Sequence, residues 1–66
     1  MEWYKLYFLD NRDKIVSVEN LQCLDDAAAF ESALASLAER PEFPAIELWQ
    51  GPRKLGKRTR AEILAH

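Results

Sequence analysis

The sequence has few of the residues from which small proteins build cross-links or catalytic centres. Cys23 is the only cysteine, so no disulfide can form within the chain. His66 is the only histidine and the last residue of the sequence, where fraying works against a positioned acid–base role. Without a second histidine there is no Ser-His or Cys-His pair to activate a nucleophile. We therefore expect a protein that is not an enzyme.

Metal and phosphate sites are equally poorly represented. Two acidic pairs, at residues 10 and 13 and at residues 25 and 26, are the only candidates for a divalent cation. Hard cations take six or more oxygen ligands, and no Asp-x-Asp-x-Asp-Gly loop is present. Neither of the two glycines opens a strong helix, so no phosphate-binding loop is expected. We expect no metal and no cofactor, and interpret the four aspartates as turn and helix-cap residues.

Cys23 is interpreted as a small buried residue at the end of a strand. A following helix N-terminus would lower the pKa of a thiol, but Asp25 and Asp26 lie between Cys23 and that helix. Their negative charges oppose a thiolate, so a reactive cysteine is not expected.

Long apolar runs are also missing. No segment approaches the roughly 20 apolar residues needed to cross a bilayer. Glu2 and Lys5 interrupt the apolar N-terminal stretch, which does not match a secretory signal. A lone cysteine suits a reducing compartment. We expect a cytoplasmic protein without membrane contact.

The charge of the chain is unevenly distributed. The formal net charge of the 66 residues is −2. Residues 1–50 contain ten acidic and four basic side chains, whereas residues 51–66 contain five basic side chains and one acidic. A chain of this length forms one domain. We expect a single ββαβ domain over residues 1–58, followed by a short basic C-terminal tail or frayed helix over residues 59–66.

Local patterns predict the elements of that domain. Residues 3–9 are dense in aromatic and aliphatic side chains and predict a strand, which a polar turn at 10–13 connects to a second strand from residue 15 to about 24. A bulge is expected near Glu19 and Asn20. Asp25 or Asp26 is a helix N-cap, and Pro41 ends a helix of about 14 residues.

The remaining third of the chain gives weaker signals. Residues 45–49 alternate like a strand, and residues 53–58 favour a short edge strand. Thr59 and Glu62 match a capping box ahead of a short final helix. The predicted fold class is α+β: an antiparallel three-stranded sheet in the order β-β-α-β with one helix packed on one face. A short fourth strand or a C-terminal helical turn is left open, and we favour spatial order 2-1-3 over 3-2-1.

The chain resembles a group of short uncharacterised bacterial proteins, mostly alphaproteobacterial. The resemblance rests on the strand at residues 4–10 (YKLYFLD), the helix start at residues 23–26 (CLDD) and the strand at residues 46–51 (IELWQG) with Arg53 after it. It covers residues 4 to about 53 and implies a ββαβ fold without an assigned activity. The present sequence lacks a glycine in its first turn and has a longer charged tail.

The two faces of the predicted sheet differ in composition. Alternation places Tyr4, Leu6 and Phe8 on one face, matched by Ile46 and Leu48, beneath Phe30, Leu34 and Leu37 of the helix. The opposite face carries the interface candidates: Trp3, Lys5, Tyr7, Leu9, Glu47 and Trp49. One helix cannot cover both faces, and large aromatic residues concentrate binding energy at interfaces. We expect a protein-binding or regulatory module, and a homodimer as its simplest form, unless the C-terminal segment folds back over this face.

An alternative function follows from the basic C-terminal segment. Arg53, Lys54, Lys57, Arg58 and Arg60 are candidates for phosphate contacts in a nucleic-acid-associated accessory protein. The acidic remainder of the chain would repel a polyanion, and no recognised nucleic-acid-binding motif is present. Nucleic acid is therefore the less favoured partner.

Overall fold

The fold is α+β, with a four-stranded antiparallel sheet and one main helix. The structure is a computed structural model that describes residues 1–64, with side chains for residues 1–62. The elements are β1 (Glu2–Leu9), β2 (Ile15–Cys23), α1 (Asp26–Glu39), β3 (Ala45–Gln50), β4 (Arg53–Thr59) and α2 (Arg60–Leu64). The strand order β2-β1-β3-β4 confirms the favoured arrangement of the first three strands. The fourth strand and the C-terminal helical turn are both present.

The most apolar strand, β1, lies between β2 and β3. Leu6 is opposite Leu48, and Phe8 is opposite Ile46, so four buried side chains form one layer on the same side of the sheet. Tyr4 extends this layer towards the start of β1. Since a one-residue slip would turn these side chains to the other face, the burial of this layer fixes the register of the β1–β3 pair.

The predicted boundaries of the main helix are confirmed. The Asp25 carboxylate accepts a hydrogen bond from the backbone N–H of Ala28 at 2.8 Å and satisfies one free donor of the first turn. The helix ends at Glu39, and Arg40 is its C-cap immediately before Pro41.

The buried stripe of α1 differs from the predicted one. Ala29, Ala33 and Leu37 are fully buried at intervals of four residues, whereas Leu34 is only half-buried. The small alanine side chains allow the helix to approach the sheet closely. The prediction that Leu34 belongs to the core is wrong, because sequence periodicity alone did not determine how the helix is rotated about its axis.

Phe30 lies over β4, a strand that the three-stranded expectation did not include. A Cβ atom at Gly56 would be 3.0 Å from Cζ of the Phe30 ring. The guanidinium carbon of Arg58 stacks 4.5 Å from the centre of the same ring. The fourth strand thus extends the sheet beneath the helix and supplies the surface on which Phe30 packs.

The first turn is ordered by an aspartate, as its polar composition predicted. The Asp10 carboxylate accepts hydrogen bonds from the backbone N–H groups of Arg12 at 2.8 Å and Lys14 at 3.0 Å. These bonds lower the pKa of Asp10 below its usual value. The β1–β2 register shifts between Phe8 and Leu9, which leaves Val16 as the extra residue. The predicted bulge position at residues 19 and 20 is therefore wrong.

The start of the C-terminal segment is anchored to the body by Arg60. Its guanidinium donates to the carbonyl oxygens of Leu37, Arg40 and Phe43 at 2.6, 2.7 and 2.9 Å. The hydroxyl of Thr59 accepts from the backbone N–H of Glu62 at 3.3 Å, which is half of the predicted capping box. In the sequence Arg60 was identified only as a candidate for phosphate contacts, and this tertiary contact was missed.

Two expectations about the C-terminus concern parts of the chain for which the structure gives no description. Residue 66, the lone histidine, lies outside the described residues. The side chains of residues 63 and 64 are also outside the described residues, so their packing against the rest of the domain stays a prediction. The division of the chain at residue 58 stays a prediction.

Candidate interaction surface

The sheet surface opposite α1 is called the open face here. In antiparallel pairs, directly opposed residues lie on the same side of the sheet, so the register defines its members. They are Trp3, Lys5, Tyr7 and Leu9 of β1, Ile15, Val18, Asn20 and Gln22 of β2, Ala45, Glu47 and Trp49 of β3, and Lys54, Lys57 and Thr59 of β4. The structure therefore places all six predicted interface residues on one face.

The aromatic centre of the open face is held by contacts within the chain. The rings of Tyr7 and Trp49 meet edge-on, with their centres 6.4 Å apart. The indole N–H of Trp49 donates to a Glu47 carboxylate oxygen at 3.0 Å, and Lys54 contacts the other oxygen at 3.4 Å. Tyr7 and Trp49 remain half-buried, whereas Trp3 is 62% exposed.

Leu9 differs from the other interface candidates because it is completely buried within the chain. It lies opposite Ala45 on one side and Ile15 on the other, at the end of β1. At this end the Lys57 ammonium donates to the Asp13 carboxylate at 2.8 Å, which ties the β1–β2 turn to β4. Leu9 therefore has no accessible surface to offer a partner.

Several exposed apolar residues were not among the candidates chosen from the sequence. The exposed large apolar side chains of residues 1–62 are between 51% and 80% exposed. They are Met1, Trp3, Ile15, Val16, Val18 and Leu24. All six belong to β1, β2 or the residues next to them. The aliphatic residues at the start of β2 already indicated an apolar surface there, but only residues of the first and third strands were chosen as interface candidates.

A recess of about 350 Å³ lies at one end of the sheet. It is lined by Trp3, Tyr4, Lys5, Asn20 and Gly51. An exposed indole, an ammonium group and an amide are thus adjacent. Such a lining is suited to an apolar side chain that carries a polar or acidic edge.

The five basic candidates do not form one basic surface. Lys54 and Lys57 lie on the open face, whereas Arg58 packs on Phe30 beneath the helix. Each cation also contacts a group of this chain: Arg53 with Asp26, Lys54 with Glu47, Lys57 with Asp13, Arg58 with Phe30, and Arg60 with the backbone at the end of α1. A polyanion site usually presents its cations along one face. The nucleic-acid hypothesis stays a prediction, without such a stripe to support it.

A polar cluster joins the first strand, the helix and the fourth strand. The Tyr4 hydroxyl donates to Asp26 at 2.9 Å, and Arg53 contacts both carboxylate oxygens of Asp26 at 3.2 Å. Burial of its ring and the bond to Asp26 raise the pKa of Tyr4 to about 12. Arg53 and then Tyr4 hold the pKa of Asp26 below its usual value. The cluster is partly exposed, and its contacts are accounted for by structural roles.

Within residues 1–64, no group of three or more Cys, His, Asp or Glu side chains is arranged to hold a metal ion. Cys23 is buried as predicted, and its sulfur lies 3.9 Å from the Ser32 hydroxyl oxygen. Over the same range, no helix combines the length and apolar character needed to cross a membrane.

Comparisons with known proteins give no family assignment. No family model, no curated protein and no solved structure matches the chain. The resemblance to short alphaproteobacterial proteins therefore stays a prediction, and any proposal of function rests on the surface described above.

Proposed function

We propose that this chain is a small, non-enzymatic protein-binding module that self-associates through the open face. The observation that carries the proposal is the position of Trp3, Tyr7 and Trp49 on the side of the sheet that α1 does not cover. Large aromatic side chains supply much of the energy of protein interfaces. A domain of this size also has a thin core, so burial between two copies is a direct way to gain stability.

The centre of the open face is organised before any partner arrives. Glu47 and Tyr7 fix the Trp49 indole through a hydrogen bond and an edge-on contact. A side chain already held in one orientation loses less conformational entropy on binding. The exposed indole of Trp3 adds accessible apolar area next to the recess.

The charges of the open face allow a second copy as its occupant. Lys5, Lys54 and Lys57 share the open face with Glu47, and Asp13 reaches it through its ion pair with Lys57. Because both signs are present, two identical faces can meet across a two-fold axis with opposite charges paired. An apolar centre with a charged rim is also the usual anatomy of a protein interface.

The test compares three variants that introduce the same side chain at different surfaces. Trp49→Lys alters the open face, and Ala35→Lys adds a lysine to the exposed side of α1. Light scattering and sedimentation from about 1 to about 300 μM cover the affinities expected of a modest homodimer. We expect the wild type and Ala35→Lys to reach the same mass and Trp49→Lys to reach about half of it, with an unchanged circular dichroism spectrum. The third variant, Val16→Lys, places the lysine on the outer strand β2.

Tryptophan fluorescence provides an independent measurement on the wild type. Association through the open face should shield Trp3 and Trp49 from acrylamide as the protein concentration rises. A wild type that stays monomeric over the whole range, with quenching independent of concentration, would contradict the proposal. Equal association of Trp49→Lys and Ala35→Lys would also contradict it.

A further inference from the structure

The two edges of the sheet are built differently. The outer strand β4 has the sequence RKLGKRT and carries four basic side chains. The outer strand β2 has the sequence IVSVENLQC, with no lysine, arginine or proline over nine residues. Charged residues on an edge discourage pairing with other chains, whereas a long uncharged edge is a template for it. β4 has this protection and β2 lacks it.

The exposed apolar residues lie on the same side of the molecule as the unprotected edge. Ile15, Val16 and Val18 are exposed on β2, and Leu24 follows directly after it. The one charged residue of β2, Glu19, forms an ion pair with Arg40 of the same chain. The β2 edge is thus apolar and nearly neutral.

We propose that β2 pairs antiparallel with β2 of a second copy, across a two-fold axis perpendicular to the sheet, to give a continuous eight-stranded sheet. This contact is made by the outward backbone groups of β2 rather than by the aromatic centre of the open face, and it does not depend on the open-face contact. The apolar side chains at the start of β2 would then be covered by the partner copy. The outward N–H and C=O groups of β2 would pair with those of its counterpart.

Two copies can pair their sheet edges in three ways: β2 with β2, β4 with β4, or β2 with β4. Symmetry and charge favour the first. Pairing β4 with β4 would bring together two strands that each carry Arg53, Lys54, Lys57 and Arg58. Pairing β2 with β4 is heterologous and would continue into an open chain of molecules. Only β2 with β2 both closes and avoids opposing cations.

The same reasoning restricts the register of the pair. With the two-fold perpendicular to the sheet, residues of the same face must oppose one another, so one residue of β2 faces its own counterpart. A register centred on Glu19 would place two carboxylates opposite each other and is disfavoured. Centres at uncharged residues such as Val18 or Asn20 avoid this contact.

Combined with the open-face contact, the edge contact predicts a specific assembly. The axis of the edge contact is perpendicular to the plane of the sheet. The axis that relates two stacked open faces is parallel to that plane. Two perpendicular two-fold axes that intersect generate a D2 tetramer. In that assembly two eight-stranded sheets would pack with their open faces together.

Amide hydrogen exchange tests the edge directly on the unmodified protein. In the free chain, the outward N–H groups of β2 should exchange quickly, because they face solvent. Between about 1 and about 300 μM we expect their exchange to slow by at least about tenfold as the pair forms. The outward N–H groups of β4 are the internal control and should not change. Exchange at β2 that is independent of concentration would overturn the proposal.

Val16→Lys tests the same edge by introducing a charge. Val16 is the exposed extra residue at the register shift, outside the paired positions of the open face. We expect Val16→Lys to halve the mass of the assembly, while Ala35→Lys leaves it unchanged. If Val16→Lys retains the full mass and Trp49→Lys halves it, the edge pairing is wrong and the open-face contact stands. The reverse result supports the edge pairing and removes the open-face proposal.

Discussion

Both hairpins of the sheet bury apolar side chains beneath α1, but their outer surfaces have opposite character. The N-terminal hairpin (β1 and β2) carries every exposed large apolar side chain found in residues 1–62. The C-terminal hairpin (β3 and β4) carries four basic residues, all on β4 and each in contact with a group of the same chain. The shared core accounts for the fold, and the contrast between the outer surfaces is the basis of the proposed contacts between copies.

The largest expected effects test whether the two hairpins contribute equally to the core. Phe8 of β1 and Leu48 of β3 are both completely buried in it. We expect Phe8→Ala to lower the free energy of unfolding by about 3–5 kcal/mol and Leu48→Ala by about 2–5 kcal/mol. Chemical denaturation of each variant, at one fixed protein concentration, measures both losses.

Leu34→Ala is the matched control for the core variants. Leu34 is only half-buried and lies outside the core cluster, so its truncation should cost much less than that of Leu48. A loss for Leu34→Ala as large as that for Leu48→Ala would show that the helix is rotated towards the orientation expected from the sequence. A small loss for Phe8→Ala would break the symmetry between the hairpins.

An intermediate effect is expected where the C-terminal hairpin reaches the end of the helix. Arg60 donates to three backbone carbonyl oxygens there, two of which belong to the last turn and C-cap of α1. Removing hydrogen bonds made by a charged group from partly buried carbonyls costs about 1.5–3 kcal/mol. We therefore expect Arg60→Ala to lower the melting temperature clearly.

Lys54→Ala, in the neighbouring strand β4, provides the comparison for Arg60→Ala. Its partner contact with Glu47 is long and largely exposed, and pairs of this kind contribute little to stability. Equal melting temperatures for the two variants would show that the Arg60 contacts are not important for stability. That result would favour the sequence-based expectation that residues 59–66 form a short basic tail or frayed helix.

Local signals predicted most of the fold. The Asp25 cap, the stop at Pro41, the alternation in β1 and β3 and the turn at Asp10 each depend on a few neighbouring residues, and each is present in the structure. The orientation of α1, the width of the sheet and the role of Arg60 depend on contacts between distant parts of the chain. Periodicity in one segment cannot determine them.

The sequence likewise predicted only part of the candidate surface. Alternation placed Trp3, Tyr7 and Trp49 correctly on the face opposite the helix. It did not indicate that Leu9 is buried by its own chain, because that depends on how the end of the sheet packs. The repeated basic residues at 53–58 did predict an edge strand, but the exposed apolar side chains of β2 were not identified.

The smallest expected effect concerns the polar cluster that links the two hairpins through the helix. Asp26 contacts Tyr4 of the first hairpin and Arg53 of the second, and these contacts hold its pKa below the unfolded value of about 3.9. A carboxyl group with a lowered folded-state pKa stabilises the fold above its unfolded pKa, and this contribution is lost as the pH falls through the folded-state pKa.

The stability of Asp26→Asn should therefore depend less steeply on pH below about 4 than that of the wild type. Denaturation midpoints compared from pH 6 to pH 2 measure this difference. Asp10 also has a lowered pKa but contacts only its own turn, so it leaves part of the acid dependence in the variant. Identical pH profiles for Asp26→Asn and the wild type would show that the cluster does not couple the hairpins, and that the β1–β3 pairing and the shared apolar core join them without it.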